Sequence, residues 1–327
     1  MSGSKFDETE YLVANPDVAA AVEAGVFRSG QEHYKRYGKK EGRMLKRSDG
    51  GLTREDKVFH YLDKKGFGLE IGPSHNPFAS KKKGFNVQIL DHASAEQLRD
   101  KYQGHGVNLD NIEEVDFIWQ GEPLSELIGR EQCYDWIIAS HLIEHVTDFI
   151  GFLQQCEKLL TPDGVLSLVV PDKRYCFDYF RWPSNTGDAL QAFTEKRILH
   201  SAGTVFDHIS NVSKMGESLT WGKNDRGTIK LIHTFEEAEQ YWELALKQEG
   251  YIDSHSWKFT PSSFRIILHD IKKLGLTGLA EVGSFDTEGF EFWISLSRRD
   301  DNSVVYDRQD LCYSMIREVA EAAQFIK

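Results

Sequence analysis

The chain is expected to be an α/β protein whose parallel sheet is laid down by βαβ units, and three stretches point there. In Gly66-Phe-Gly-Leu-Glu-Ile-Gly-Pro-Ser-His-Asn-Pro-Phe78, an apolar strand over 67–71 runs into a tight turn at Gly72. A second apolar strand, 85–90, ends at Asp91. That is about 20 residues beyond Glu70, the spacing between the first two strands of a nucleotide-binding βαβ unit. Further on, Tyr134-Asp-Trp-Ile-Ile-Ala-Ser-His-Leu-Ile-Glu-His-Val146, a helical run over 149–160 and Thr161-Pro-Asp-Gly-Val-Leu-Ser-Leu-Val-Val-Pro171 give strand, helix and strand in succession.

The elements follow in chain order. Residues 6–47 read as a small helical module. One helix restarts after Asn15 with Pro16 at its first position, Gly25 is its stop, and His33 to Gly38 begins a second short helix. The string Asn-Pro-Asp-Val-Ala, then His-Tyr, then Glu-Gly-Arg resembles a short module found beside bacterial surface-polysaccharide and surface-protein domains. It is either a docking or dimerisation module or a helical cap on the main domain. Ser48-Asp-Gly-Gly51 is the linker. A helix over 54–64 precedes the first strand, and 115–119 is a candidate third strand ending near Gln120-Gly-Glu-Pro123. Residues 172–260 stand apart, because about ninety residues rich in His, Trp and Tyr is long for a connection inside one domain, and such loops are usually functional. A helix over 235–248 lies within this insert. Thr260-Pro-Ser-Ser-Phe264 opens another helix, to Leu274, with cap and N1 proline in order. Segments 279–284 and 290–298 then read as an antiparallel hairpin, and 307–325 as a final amphipathic helix.

Composition narrows the class of function. At 327 residues the chain can bury a full core with room for an appendage. A net charge of −12 argues against a nucleic-acid partner, because a polyanion would be repelled. The basic runs at 35–47 and 81–83 read as solvated faces. Cys133, Cys156, Cys176 and Cys312 have neither paired nor metal-type spacing, which fits a reducing cytoplasm. No apolar run reaches the roughly 18 residues of a membrane span, and the first residues are no signal peptide.

The first turn restricts the ligand. Gly-Pro-Ser stands where a dinucleotide site has Gly-x-Gly-x-x-Gly. A pyrophosphate needs those glycines and a helix N-terminus, whereas an adenosine without phosphate does not. The loop therefore points to S-adenosylmethionine (SAM) rather than NAD. Gly72 allows close backbone approach, and Asp91 can accept hydrogen bonds from both ribose hydroxyls.

Taken together, the segments at 67–91 and 134–171 resemble class I SAM-dependent methyltransferases, in the large bacterial group whose helix reads Leu-Glu-His-Val, with Ile143 here in place of that Leu. The resemblance covers roughly residues 55–172 and returns at 261–298. It implies a Rossmann-like seven-strand sheet ending in an antiparallel hairpin, with the last strand inserted beside the sixth. It also implies that Glu70 and the Gly72–Ser74 turn hold the methionine end of SAM, that Asp91 holds the ribose, that Asp116, Gly121 and Glu122 lie by the adenine, and that Ser140 and His141 line the methionine side. Two plainer roles stay open: a strand-end carboxylate for Glu70 and a helix N-cap for Asp91.

His141-Leu-Ile-Glu-His145 matches the inverted zinc-protease string, but it follows a Rossmann-like strand rather than sitting on a long independent helix, so a protease is rejected. A second metal reading remains. Some small-molecule and RNA methyltransferases carry Glu-x-x-Glu-His here and hold a divalent ion with it. On a helix, His141, Glu144 and His145 would share one face, with a fourth ligand from His200, His208 or His233. A histidine in place of the first Glu fits Zn²⁺, Mn²⁺ or Fe²⁺ better than Mg²⁺. Alternatively, Glu144 and His145 simply pack beneath the cofactor. After the fifth strand, Lys173 and Arg174 could grip an anionic acceptor. Candidate general bases are His145, Asp172, His200, His208 and His233, although each insert histidine has an ordinary structural role as its alternative.

The expected domains are 1–47 (helical module), 52–300 (methyltransferase, with 172–260 as substrate-binding insert) and 301–327 (C-terminal helix). The expected activity is methyl transfer from SAM to an oxygen of a sugar, sugar nucleotide or glycan phosphate. The sugar class rests on the associations of the N-terminal module. The rivals are a small-metabolite or lipid-headgroup methyltransferase and a non-catalytic scaffold binding a partner, or a second copy, through residues 1–47.

Overall fold

Five parallel strands and an antiparallel pair form one sheet in the computed structural model, which describes residues 6–39, 41, 43, 51–299 and 304–323. The chain divides into two units, Met1–Lys57 and Val58–Lys327. Of the linker 48–51, only Gly51 is among the described residues.

The first unit contains helices α1 (Glu8–Ala14), α2 (Pro16–Glu23) and α3 (Gly30–His33); Tyr11 of α1 is buried and hydrogen-bonds His33 Nδ1 of α3 at 2.9 Å. Pro16 stands at the start of α2, and Gly25 follows its end at φ +74°. Ser29 caps α3 by accepting from Glu32 N, and a π-helical turn, Tyr34–Gly38, continues it. Rings of Phe6, Tyr11 and Tyr34 meet within 5.4 Å.

The second unit begins along α4 (Arg54–Phe59). Its sheet contains β1 (Gly68–Ile71), β2 (Val87–Asp91), β3 (Phe117–Ile118), β4 (Tyr134–Ser140), β5 (Leu160–Pro171), β8 (Ala280–Glu288) and β9 (Glu291–Ser297). The order is β3-β2-β1-β4-β5-β9-β8. Strand β9 runs antiparallel between β5 and β8, the expected closing hairpin. Alternate side chains divide the core. Leu69, Ile71, Ile137, Ala139, Leu168 and Val170 join one cluster with Phe149 and Leu153, while Trp136, Ile138, Val169 and Trp293 join another with Phe59 and Phe78. Gly68 is required by that second face: a Cβ there would lie 2.1 Å from the Trp136 indole.

Helices α5 (Ala95–Tyr102), α6 (Leu124–Ile128) and α7 (Phe149–Leu159) follow β2, β3 and β4. Helix α7 starts where Asp148 accepts from Gly151 N at 2.9 Å, so residues 141–146 form a turn rather than the expected helix. The insert carries α8 (Thr186–Glu195), α9 (Ala202–Asn211), a two-strand ribbon of β6 (Ser213–Met215) and β7 (Ile229–Leu231), and α10 (Phe235–Leu246). Helices α9 and α10 bury Val205, Ile209, Ala238 and Ala245 against one another. The insert's ends meet in a parallel bridge between Asp172 and Phe259. Helices α11 (Pro261–Lys273) and α12 (Arg308–Ala322) complete the unit.

Candidate active site

The chain reverses direction across the sheet between β1 and β4, and the crevice at that switch point is where open α/β sheets bind ligands. Register levels its rim: Ile71 pairs with Leu90 on one side and Ala139 on the other. Gly72, Asp91 and Ser140 therefore stand side by side at the carboxyl edge.

The turn after β1 is shaped by its own backbone. Gly72 has φ +68°, and a Cβ would come 3.1 Å from Leu142 Cδ1. Ser74 also has positive φ, and its N–H donates to Asp91 Oδ2 at 2.8 Å. Ser74 Oγ and His75 Nδ1 are buried with no partner among the described residues. Glu70 does not reach across the rim. Its two oxygens accept from Phe78 N and Ala79 N at 2.8 and 2.9 Å, so it braces the loop from within the sheet. Burial pushes its carboxyl up to about 7, against those two donors. Asp91 is also buried and accepts from His92 N, but it is no helix cap, because Ser94 caps α5.

The third strand is shorter than expected. Asp116 lies before it, its carboxylate accepting from Ile89 N at 2.7 Å and Lys81 Nζ at 2.6 Å. This position removes Asp116 from the carboxyl rim. The rim residues are Trp119 to Glu122: Gly121 has φ +107°, and Glu122 accepts from Gln120 N.

Beyond β4, His141 has φ +51°, which turns the chain out of the strand. Its Nε2 meets Glu291 Oε2 at 2.7 Å and its Nδ1 lies 3.6 Å from Glu144 Oε1. Burial opposes its charge, but these two carboxylates raise it to about 9. With Nε2 bonded to Glu291 and Nδ1 facing Glu144, His141 has neither ring nitrogen turned to an open position, so the geometry removes it from the expected metal set.

A different group converges there. His145 Nδ1 bonds Asp253 Oδ1 at 2.8 Å, and His255 Nδ1 bonds Asp178 Oδ2 at 2.5 Å. The two rings stand edge to face, 4.5 Å apart. Burial would raise Asp178, but His255 and Arg181 hold it far below the usual carboxylate range. His208 lies 5.6 Å from His255, with Nδ1 buried and unpartnered among the described residues. His200 bonds Ser256 Oγ at 2.7 Å, and its ring lies tilted 5.0 Å from that of Tyr251. Burial pushes His200 down to about 4 and His208 to about 3, so both are neutral at physiological pH.

Other expected residues lie elsewhere. His233 pairs with Glu237 at 3.4 Å beside the start of α10. Asp172 is fully buried, clamped by Arg174 and Thr287 Oγ1, and thus unsuited to act as a base. Lys173 donates to Tyr179 O, and Arg174 is paired with Asp172 and Glu321, so neither is free to grip an anion. No local spacing in the sequence marks His255, Asp178 or Asp253, whose partners lie 77 and 108 residues away.

The frame of β1, the Gly72 turn, Asp91 and β4 invites comparison with known proteins. A family model described as a methyltransferase domain matches residues 53–270, well over half of the chain. No curated protein sequence matches. Solved structures with a likeness include a SAM-dependent methyltransferase from Mesorhizobium loti (11% identity, 73% of this chain and 94% of that one, TM-score 0.37). Another is the 1,6-didemethyltoxoflavin-N1-methyltransferase of Burkholderia thailandensis, with 1,6-didemethyltoxoflavin and S-adenosylhomocysteine bound (12%, 92% and 94%, TM-score 0.38). A third is the CcbJ methyltransferase of Streptomyces caelestis (14%, 75% and 96%, TM-score 0.37). On its family match and strand order, the chain belongs to the class I SAM-dependent methyltransferases.

Proposed function

We propose that the chain methylates a hydroxyl oxygen of a sugar or sugar nucleotide, bound between the turn at 141–146 and the insert at 172–260. One observation carries this reading: His145, His200, His208, His255 and Tyr251 gather beside the end of β4, next to the rim assigned to the cofactor. Asp91 would take the ribose hydroxyls, the Gly72–Ser74 turn and Ser140 the methionine end, and Gly121 and Glu122 the adenine side. The acceptor oxygen then attacks the methyl carbon, the carbon–sulfur bond breaks with its electron pair left on sulfur, and S-adenosylhomocysteine departs. The hydroxyl proton passes to a neutral imidazole, and His200 and His208, each with a ring nitrogen unpartnered among the described residues, are the candidates. Methyl transfer from an activated sulfonium otherwise needs mainly alignment and exclusion of water.

A hydroxyl is favoured over a glycan phosphate because Lys173 and Arg174 are committed to internal partners. The sugar class itself is supported by the likeness of the N-terminal module to segments beside polysaccharide domains. We read residues 1–47 as the docking module, 52–300 as the catalytic domain and 301–327 as its closing helix. Four free cysteines accord with action in the cytoplasm, and among the described residues no helix is long and apolar enough to cross a membrane. The test is turnover with methyl-labelled SAM over a panel of sugars, sugar nucleotides and amines, with the product's methyl carbon located by NMR. Methylation of amines alone, or of no hydroxylated acceptor, would overturn the reading.

A further inference from the structure

We propose that Glu144, His145 and His255 form a binding site for one divalent transition-metal ion. The ligand set differs from the sequence expectation: His255, from the far end of the insert, replaces His141.

One carboxylate oxygen of Glu144 and one ring nitrogen of each histidine lie within 4.8 Å of one another. Ligand atoms at ~2.0–2.2 Å around a tetrahedral ion stand roughly 3.4 Å apart, so small side-chain rotations would close the set. Neither oxygen of Glu144 has a hydrogen-bond partner among the described residues, although its side chain is 1% exposed. The His141 imidazolium faces this carboxylate at 3.6 Å, but no hydrogen bond takes up its lone pairs, which leaves one oxygen able to bind an ion.

The histidines are prepared in the manner of metal ligands. Each gives its Nδ1 to a carboxylate, Asp253 for His145 and Asp178 for His255, which fixes the ring and leaves Nε2 to bind. Asp178 is fixed in turn by Arg181 at 2.7 Å. Two imidazoles and one carboxylate suit Zn²⁺, Mn²⁺ or Fe²⁺ rather than Mg²⁺, and three protein ligands leave a position open, as in catalytic rather than structural sites. The role of the ion rests on the acceptor reading above: in that open position it would hold the acceptor hydroxyl and make it more acidic. Binding of the ion does not depend on that reading.

The test uses the full-length protein, stripped with chelator and titrated calorimetrically with Zn²⁺, and with Co²⁺ as a spectroscopic probe. One ion per chain is expected, with the visible bands of a low-coordinate Co²⁺ site. Glu144→Gln and His255→Ala should each weaken binding at least ~100-fold, and Asp253→Asn by ~10–100-fold. His233→Ala, outside the cluster, should leave it unchanged. SAM affinity, measured in every variant, reports that the protein is folded. Wild-type protein that binds SAM but no Zn²⁺ would overturn the metal site and leave the methyltransferase assignment standing. Stoichiometric binding that survives both Glu144→Gln and His255→Ala would equally overturn it, placing the ion elsewhere. A protein that binds Zn²⁺ here yet methylates only amines would leave the site intact and refute the hydroxyl-acceptor reading instead.

Discussion

Replacing Asp91 tests the cofactor site most directly. Its carboxylate is 1% exposed and offers about four lone-pair positions. Ser74 N takes one on Oδ2, and His92 N takes one on Oδ1. The His92 ring takes a further one on Oδ1 at 2.6 Å, but that ring is largely exposed and can be displaced. Each oxygen can therefore receive one ribose hydroxyl without losing its backbone donor. Hydrogen bonds to a charged group contribute about 1.5–3 kcal/mol each. Two at the lower figure give about 3 kcal/mol, a roughly 100-fold weaker affinity for SAM in Asp91→Ala. Asp91→Asn keeps the volume and one acceptor oxygen, so a smaller loss is expected. Calorimetry with SAM and with S-adenosylhomocysteine measures both, alongside thermal unfolding to verify the fold. Affinity within a factor of two of wild type in a folded Asp91→Ala protein would refute the ribose assignment.

Other outcomes follow from the same geometry. His208→Ala should lower kcat by ~10²–10⁴-fold with SAM affinity unchanged, as expected of a base that meets only the acceptor; single-turnover kinetics read the effect, and an unchanged kcat would move the base to His200. Gly68→Ala drives a methyl into the Trp136 indole and should destabilise the protein by about 1–3 kcal/mol in urea unfolding, with partial rescue by Trp136→Phe. Leu153→Ala, in the larger core cluster, should cost about 2–5 kcal/mol by the same assay. Asp270 is held down to about 2, burial opposing and Arg308, His269 and Thr186 prevailing. A depressed carboxyl stabilises the folded state above its unfolded value of 3.8 and loses that contribution as pH falls towards about 2. Acid unfolding of Asp270→Asn should therefore show a shallower pH dependence between those values, and an identical profile would count against the pairing of α11 with α12.

The sheet was legible because its signals are local. The apolar runs of β1 and β4 are each short and continuous, and the Gly72 turn and Asp91 lie on adjacent strands β1 and β2, although a 3-10 turn at Lys81–Lys83 rather than an α-helix joins them. His141, Glu144 and His145 match helical spacing in the sequence, yet 141–146 is a turn, because the chain leaves β4 through the left-handed conformation of His141. The true start was nonetheless written one residue ahead of α7, where Asp148 is a good N-cap. Charge type was readable at Lys173 and Arg174, but their partners, a carbonyl at Tyr179 and a carboxylate at Glu321, depend on how the insert and α12 fold back. His255 carries no local mark at all. Its place beside His145 arises only because the chain must return from the insert to the edge of β5.

That return has an evolutionary consequence. The bridge between Asp172 and Phe259 ties the two ends of the insert together at one point on the sheet, so the chain between them is topologically a closed loop. The entropy of closing such a loop grows only logarithmically with its length, by about 0.6 kcal/mol per doubling. Segments of quite different length can therefore lie between these two anchors at little entropic cost, provided that they keep the packing of Ala189, Ala192 and Trp257 against the main core. Selection for new acceptors can act on this loop while the cofactor rim, built from β1, β2 and β4, stays untouched.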